Sequence, residues 1–297
     1  MPPYVGAEPA AGEGETTRAI ILDSVSFRPL SAGGAPRNRP LAADSGVGRR
    51  ATTRAAGNRG VALVTTFQGR RFHPETIRAL AADSQALGAT AGAVAALVKS
   101  TAADGLIIDF QGMTPAEIGG LIDVSRAVAD SARAYVLGPI GFVVPASDTA
   151  GYPGALIART ANLIVVRLHG EHRPGTAPGP FASAQWLTRH LGARAAEVGA
   201  SRVVGELPLF GYRWAADGTS IRITYQQARA AVLGDGIALS RDPSSRALYA
   251  ASPRGGWEIW INDQETVDYL IEAARRIGVN KFVIAGVEGA QTSTARQ

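Results

Sequence analysis

Cysteine is absent from the 297 residues, which excludes disulfides and every thiolate metal site and leaves the redox compartment unmarked. Lysine is almost absent: Lys99 and Lys281 are the only two, so the formal charge of +5 rests on arginine, much of it crowded between Arg37 and Arg71. A basic balance suits anionic partners in principle, but a solvated basic linker in an Arg- and Ala-rich chain is the simpler account, and no nucleic-acid partner is expected. Aromatic residues make up only 6%, and no apolar run approaches the roughly 18 residues that cross a bilayer, so no membrane span is expected. The opening Met1-Pro2-Pro3-Tyr4 lacks the basic-then-apolar pattern of a secretory signal, and the chain as written is expected to be soluble and cytoplasmic.

What is present suits one large α/β domain, since 46% of residues are hydrophobic and 19% charged. Residues 1–17 read as a disordered tail, and 31–59, poor in large apolar groups and dense in Gly, Ala, Pro and Arg, as a flexible basic insert within a single domain spanning 18–297. Compact apolar runs predict strands at Ala19–Phe27, Val61–Thr66, Gly105–Gln111, Tyr135–Val144, Leu163–His169, Val203–Leu209 and Phe282–Ala285, with helical stretches between them. That alternation builds parallel sheets covered by helices. Thr114-Pro115-Ala116-Glu117 has the form of a capping box opening a helix, and Gln264–Ile277 predicts the last helix. Between residues 214 and 262 the alternation breaks into short strands, with Arg246–Ala251 and Trp257–Ile261 flanking Ser252-Pro253-Arg254-Gly255-Gly256 as a hairpin, so a small inserted α+β subdomain is expected there.

The most informative segment is Asp104-Gly105-Leu106-Ile107-Ile108-Asp109-Phe110-Gln111. In a strand, Ile107, Asp109 and Gln111 share one face. The segment resembles the D-G-x-D-x-D-x-E signature of glycoside hydrolase family 18, the chitinase-like barrels. Further motifs resemble the branch of that family with spore-cortex lytic and spore-germination hydrolases. They are Val144-Pro145-Ala146-Ser147-Asp148 with Tyr152-Pro153, the run Leu163 to His172, the run Leu207-Pro208-Leu209-Phe210-Gly211-Tyr212-Arg213-Trp214, and Trp257 to Ile261. The resemblance covers roughly residues 60–289 and implies a (β/α)8 TIM-type barrel, incomplete if the basic insert displaces the second strand, that acts on N-acetylated glycans and is usually exported.

Within that resemblance the departures fall at the chemistry. Gln111 stands where the family's general-acid Glu would be, and a neutral amide has no transferable proton near working pH. Ile107 replaces an Asp or Asn, His169 and Gly170 stand where Tyr and Asp would hold the substrate acetamide, and Gly286 replaces the eighth-strand Trp. Asp109 keeps the orienting carboxylate. Glu206 and Glu171 are the nearby carboxylates able to substitute as acid; His169, Glu171, Tyr212, Trp214 and Trp260 are candidate sugar contacts. His169, Glu171 and His172 are too loose a set for a metal, so neither metal nor cofactor is expected. The leading expectation is a barrel that binds N-acetylglucosamine-containing polysaccharides or oligosaccharides with hydrolysis weak or lost. An active glycosidase using Glu206 or Glu171, and a scaffold with no carbohydrate role, stay open.

Overall fold

The computed structural model describes residues 4–5, 19–26, 59–68, 71–101 and 103–285. In chain order these form β1 (Tyr4–Val5), β2 (Ala19–Ser26), β3 (Arg59–Thr65), β4 (Phe67–Gln68), β5 (Arg71–Phe72), α1 (Pro74–Ala82), α2 (Ser84–Thr101), β6 (Gly105–Asp109), α3 (Ile118–Arg133), β7 (Ile140–Pro145), α4 (Gly154–Ile157) and β8 (Leu163–Arg167). Then follow α5 (Ala184–Val198), β9 (Val203–Pro208), β10 (Gly211–Ala215), β11 (Ser220–Ile223), α6 (Tyr225–Gly234), β12 (Ser240–Arg241), β13 (Leu248–Ala251), β14 (Trp257–Ile261), α7 (Gln264–Arg275) and β15 (Lys281–Ala285).

One sheet runs β1-β15-β9-β8-β7-β6-β3-β2, and every pairing in it is parallel except that of β1 with β15. Each parallel strand therefore lies beside the one before it in the chain, the winding of a TIM barrel. Among the described residues no ladder joins β1 to β2, so the curled sheet is an incomplete TIM-type barrel. Tyr4–Val5, within the stretch expected to be a tail, pairs with Ala285 and Ile284. The rest of 1–17, residues 31–58 and Gly286 lie outside the described residues.

The strands are apolar on both faces because both are covered. All five residues of β6 and all six of β9 are buried. One face, with Leu106, Ile108, Phe142, Ile164, Val166 and Val203, packs on the helices; the other, with Val61, Leu63, Ile107, Val143, Val165, Val204 and Val283, fills the barrel interior. Helix α3 shows the matching helical period, burying Leu121, Val124, Ser125, Val128, Ala129 and Ala132. It begins after a 3-10 turn, Pro115–Glu117, where the Thr114 N–H donates to Glu117 Oε2 at 2.8 Å as the capping-box pattern predicts.

Two expected strands begin later in the chain. The strand expected from Tyr135 begins at Ile140, because Ala134–Pro139 is a turn that leaves Tyr135 45% and Leu137 103% exposed. The strand expected from Arg246 begins at Leu248, because Arg246 sits at φ +60°, a left-handed conformation that no ladder accepts.

The inserted subdomain is a five-stranded antiparallel sheet, β11-β10-β14-β13-β12, with α6 beside it, and it branches from the barrel directly after β9. Its β13–β14 hairpin turns through Ser252–Gly256, with the Trp257 carbonyl accepting from the Ser252 N–H at 2.9 Å. Gly211 opens β10 where a Cβ would lie 2.7 Å from both Ile261 Cβ and the Trp260 carbonyl oxygen, so only glycine lets the two strands approach there. Asn262 Nδ2 donates to the Pro208 carbonyl at 3.1 Å and its N–H to Phe210 at 3.2 Å, tying the exit of the insert to its entrance.

The loop after β7 is fastened by a fully buried arginine. Arg194 of α5 donates to the carbonyls of Tyr152 (2.7 Å), Pro145 (2.8 Å) and Asp148 (2.8 Å), while the Tyr152 hydroxyl accepts from the Met113 N–H at 3.1 Å. Two mouth loops thereby hang on one side chain. Arg194→Met should strand three carbonyls and cost on the order of 3 kcal/mol, read as a lower urea midpoint with unchanged far-ultraviolet circular dichroism. A loss below about 1 kcal/mol would mean that those carbonyls find other donors.

Candidate functional site

The C-terminal ends of parallel strands form the mouth of a TIM-type barrel, where chemistry resides in that architecture. Here β6, β8 and β9 bring ionisable side chains into an otherwise apolar interior. Strand alternation turns Asp109 inward above Ile107, Arg167 above Val165, and Glu206 above Val204. Asp109 and Glu206 are 0% and 1% exposed, and Gln111, just past the end of β6, is 7% exposed.

These groups bond in one line across the mouth. Gln111 Nε2 donates to the Val143 carbonyl at 2.8 Å and to Asp109 Oδ1 at 2.9 Å. Arg167 Nη2 donates to Asp109 Oδ2 at 2.8 Å, and its Nε donates to Glu206 Oε1 at 3.3 Å. His169 Nε2 lies 3.1 Å from the same Glu206 oxygen. The guanidinium is covered by the short β4–β5 hairpin, whose Phe72 ring centroid is 5.6 Å from it.

Burial raises both carboxyls, and their partners decide the outcome. For Asp109 burial dominates: it pushes the carboxyl above its ordinary value despite the Arg167 charge and the donors from Arg167 and Gln111. For Glu206 the burial effect is overridden by the Arg167 charge and the His169 contact, and the carboxyl is held at about 2. Glu206 is therefore an anion near neutral pH with no proton to give. Both oxygens of Asp109 already accept hydrogen bonds.

An aromatic row roofs this line. The His169 ring edge meets Phe210 at 5.6 Å, Phe210 meets Tyr212 at 5.8 Å, and Tyr212 meets Trp214 at 5.7 Å, with Phe181 against both Phe210 and Tyr212. The Tyr212 phenol is pushed up by burial, with Arg222 opposing the shift.

Of the residues singled out from sequence, Asp109, Gln111, Glu206 and His169 come together in one bonded line, and Tyr212 and Trp214 join it through Phe210. Trp214 is only 2% exposed. Glu171 stands apart: it accepts from the backbone N–H and, at 3.0 Å, the hydroxyl of Ser183, and so fastens the start of α5. Trp260 lies on the insert, stacked on Tyr249 at 5.1 Å, with its Nε1 donating to Glu258 at 2.6 Å. Sequence reasoning passed over Arg167. The available signal was a charge inside an apolar strand, on the same parity as Val165 and His169. Among the described residues no group of three or more His, Asp or Glu is arranged to hold a metal, and no helix is long and apolar enough to cross a membrane.

Solved structures with this architecture are chitinase-like. A Bacillus subtilis protein described as a candidate sporulation-specific glycosylase, YdhD, superposes with a TM-score of 0.72 at 17% identity, over 95% of this chain and 95% of that one. A chitinase from Chromobacterium violaceum gives 0.69 at 16% identity, over 92% and 87%. A class V chitinase from Pseudomonas fluorescens gives 0.67 at 18% identity, over 78% of each. The fold is that of the chitinase-like TIM barrels. No protein-family model matches the chain, and no curated protein matches it.

Arg167→Leu should leave two buried carboxylates without their counter-ion and lower stability by about 3–5 kcal/mol, read as a fall in the urea midpoint. Glu206 also predicts an acid limb. Its carboxyl is depressed in the folded state, so its contribution is complete above its ordinary value of 4.5 and is lost as pH falls through that value toward about 2. Asp109, being raised, contributes with the opposite sign and withdraws support as pH rises. Glu206→Gln should therefore flatten the decline of urea midpoint with acid, and a decline as steep as in the parent protein would remove Glu206 from its cause.

Proposed function

We propose that this chain is a glycoside hydrolase family 18-like barrel that binds N-acetylglucosamine-containing glycans of the chitin or peptidoglycan type, with hydrolysis weak or lost. The observation that carries this reading is Gln111: at the end of β6, in a chitinase-like barrel, an amide rather than a carboxylic acid bonds to Asp109. General acid catalysis is worth roughly 10²- to 10⁴-fold in rate, and an amide supplies none of it. Of the polar residues at the mouth, His169 and Tyr212 are partly exposed and would meet a sugar directly, whereas Asp109 and Gln111 are buried and would act through the bonded line or after it opens.

The reading in which Glu206 or Glu171 serves as replacement acid draws less support. Glu206 is ionised and bonded to Arg167 and His169, and Glu171 is bonded to Ser183. Titration of N-acetylated chito-oligosaccharides should give a saturable tryptophan-fluorescence change, while reducing-end release stays at the level of a Glu206→Gln control. Turnover abolished by Glu206→Gln or Glu171→Gln would replace this reading with that of an active glycosidase. The absence of any saturable change would favour a scaffold with no carbohydrate role.

A further inference from the structure

The side chain that closes the mouth over Asp109 and Glu206 is Arg167. Its strand, β8, lies between β6 and β9, so its guanidinium fills the space between the two carboxyls and bonds to both. A ligand hydroxyl seeking either carboxyl competes with this guanidinium for the same space and the same oxygens. The Arg167 side chain is 15% exposed, against 0% for Asp109 and 2% for Glu206. One side of it already reaches solvent, and it can withdraw without crossing the apolar interior.

The guanidinium is itself covered. The β4–β5 hairpin has only two ladder pairs, Phe67 with Phe72 and Gln68 with Arg71, and it sets the Phe72 ring over Arg167. A two-stranded ribbon this short has little stability of its own. Phe67 meets Phe72 edge-on at 5.0 Å, and both rings are partly exposed. The stem is tied to the mouth: the His73 N–H donates to the Thr66 carbonyl at 3.0 Å, and the Thr66 N–H donates to the Asp109 carbonyl at 3.3 Å.

Both flanks of the hairpin carry a buried hydroxyl that the closed arrangement leaves unsatisfied. Thr66 Oγ1, just before β4, and Thr76 Oγ1, in the first turn of α1, have no hydrogen-bond partner among the described residues. Such groups raise the free energy of the arrangement that buries them. The seated hairpin therefore carries a penalty at each end, and the contact that offsets it at the centre is Phe72 on Arg167.

We propose that Arg167 and the β4–β5 hairpin form an autoinhibitory latch. In the closed mouth the protein bonds its own guanidinium where a ligand would bond, and binding requires Phe72 to lift and Arg167 to leave Asp109 and Glu206. This rests on the reading above that the ligand binds at the mouth. Closure is favoured because departure of Arg167 strips two buried carboxyls of their counter-ion, until ligand hydroxyls or water take over the bonds. The measured affinity is then the intrinsic affinity reduced by the fraction of open molecules. Loosening the cover tightens binding, whereas truncating an aromatic ring that merely touched a sugar would weaken it.

Calorimetric titration with a chito-hexasaccharide tests this on the full chain, on Phe72→Ala and on Arg167→Lys, which keeps the charge but loses the fork, with thermal midpoints showing which variants fold. The dissociation constant should fall by about threefold to tenfold in Phe72→Ala and should also fall in Arg167→Lys. A merely structural role would lower the thermal midpoint without that gain, so unchanged or weaker binding in either folded variant overturns the latch. Labelling with phenylglyoxal, located by peptide mass spectrometry, reads the latch without a sugar. Arg167 should react more slowly than Arg71, whose side chain is 65% exposed, and about threefold or more faster in Phe72→Ala than in the parent chain. Equal Arg167 rates in those two proteins overturn the latch whatever the sugar does. Failure of both to bind the sugar overturns the glycan reading, and the labelling then decides the latch alone.

Discussion

Arg167 reconciles two carboxyl groups that water cannot reach. Asp109 comes from β6 and Glu206 from β9, and the strands between them leave room for one side chain that can face both. A guanidinium suits this task, because its Nη2 and Nε point in different directions and each can donate to a separate oxygen. A lysine ammonium would be a single point charge without that fork. Buried ion pairs are not in themselves stabilising, since desolvation opposes their attraction. Their consequence here is specificity: the three strand ends must stay in register for the line of bonds to close.

The same line governs which protons are available. Arg167 and His169 overrule burial at Glu206, whereas burial prevails at Asp109, so two inward carboxyls at one barrel mouth are shifted in opposite directions from their ordinary values. Gln111 completes the set by donating where an acid would share its proton. The mouth loops are held from beneath by Arg194, a second buried arginine that donates to three backbone carbonyls and, at 3.3 Å, to Glu197. In a chain with two lysines, arginine performs both interior cationic tasks.

Much of the fold was legible because its signals are local. Apolar runs located the strands, the alternation rule turned Asp109 and Gln111 to one face, and the capping-box residues at Thr114 and Glu117 bonded as expected. The hairpin at Ser252–Gly256 came from turn chemistry, and the helix expected from Gln264 begins there as α7. Misplaced strand starts arose where composition misled: Tyr135 and Leu137 are apolar but exposed in a turn, and Arg246 takes a positive φ that no pattern announced. The candidate site was legible only in part. The role of Glu171 at the start of α5 and the burial of Trp214 depend on packing against segments distant in the chain.

The sequence by itself determined the winding of alternating strands and helices, the absence of thiol chemistry, and the amide at position 111, because each follows from residue identity or from a period of two or 3.6. Only the tertiary structure decided that Arg167 meets Asp109 across 58 residues and Glu206 across 39, and that a cleft opens beside Trp257. The reason is physical. Alternation says which way a side chain points within its own strand, but which side chains meet across a barrel depends on the stagger between strands, and that is set by the packing of the whole chain.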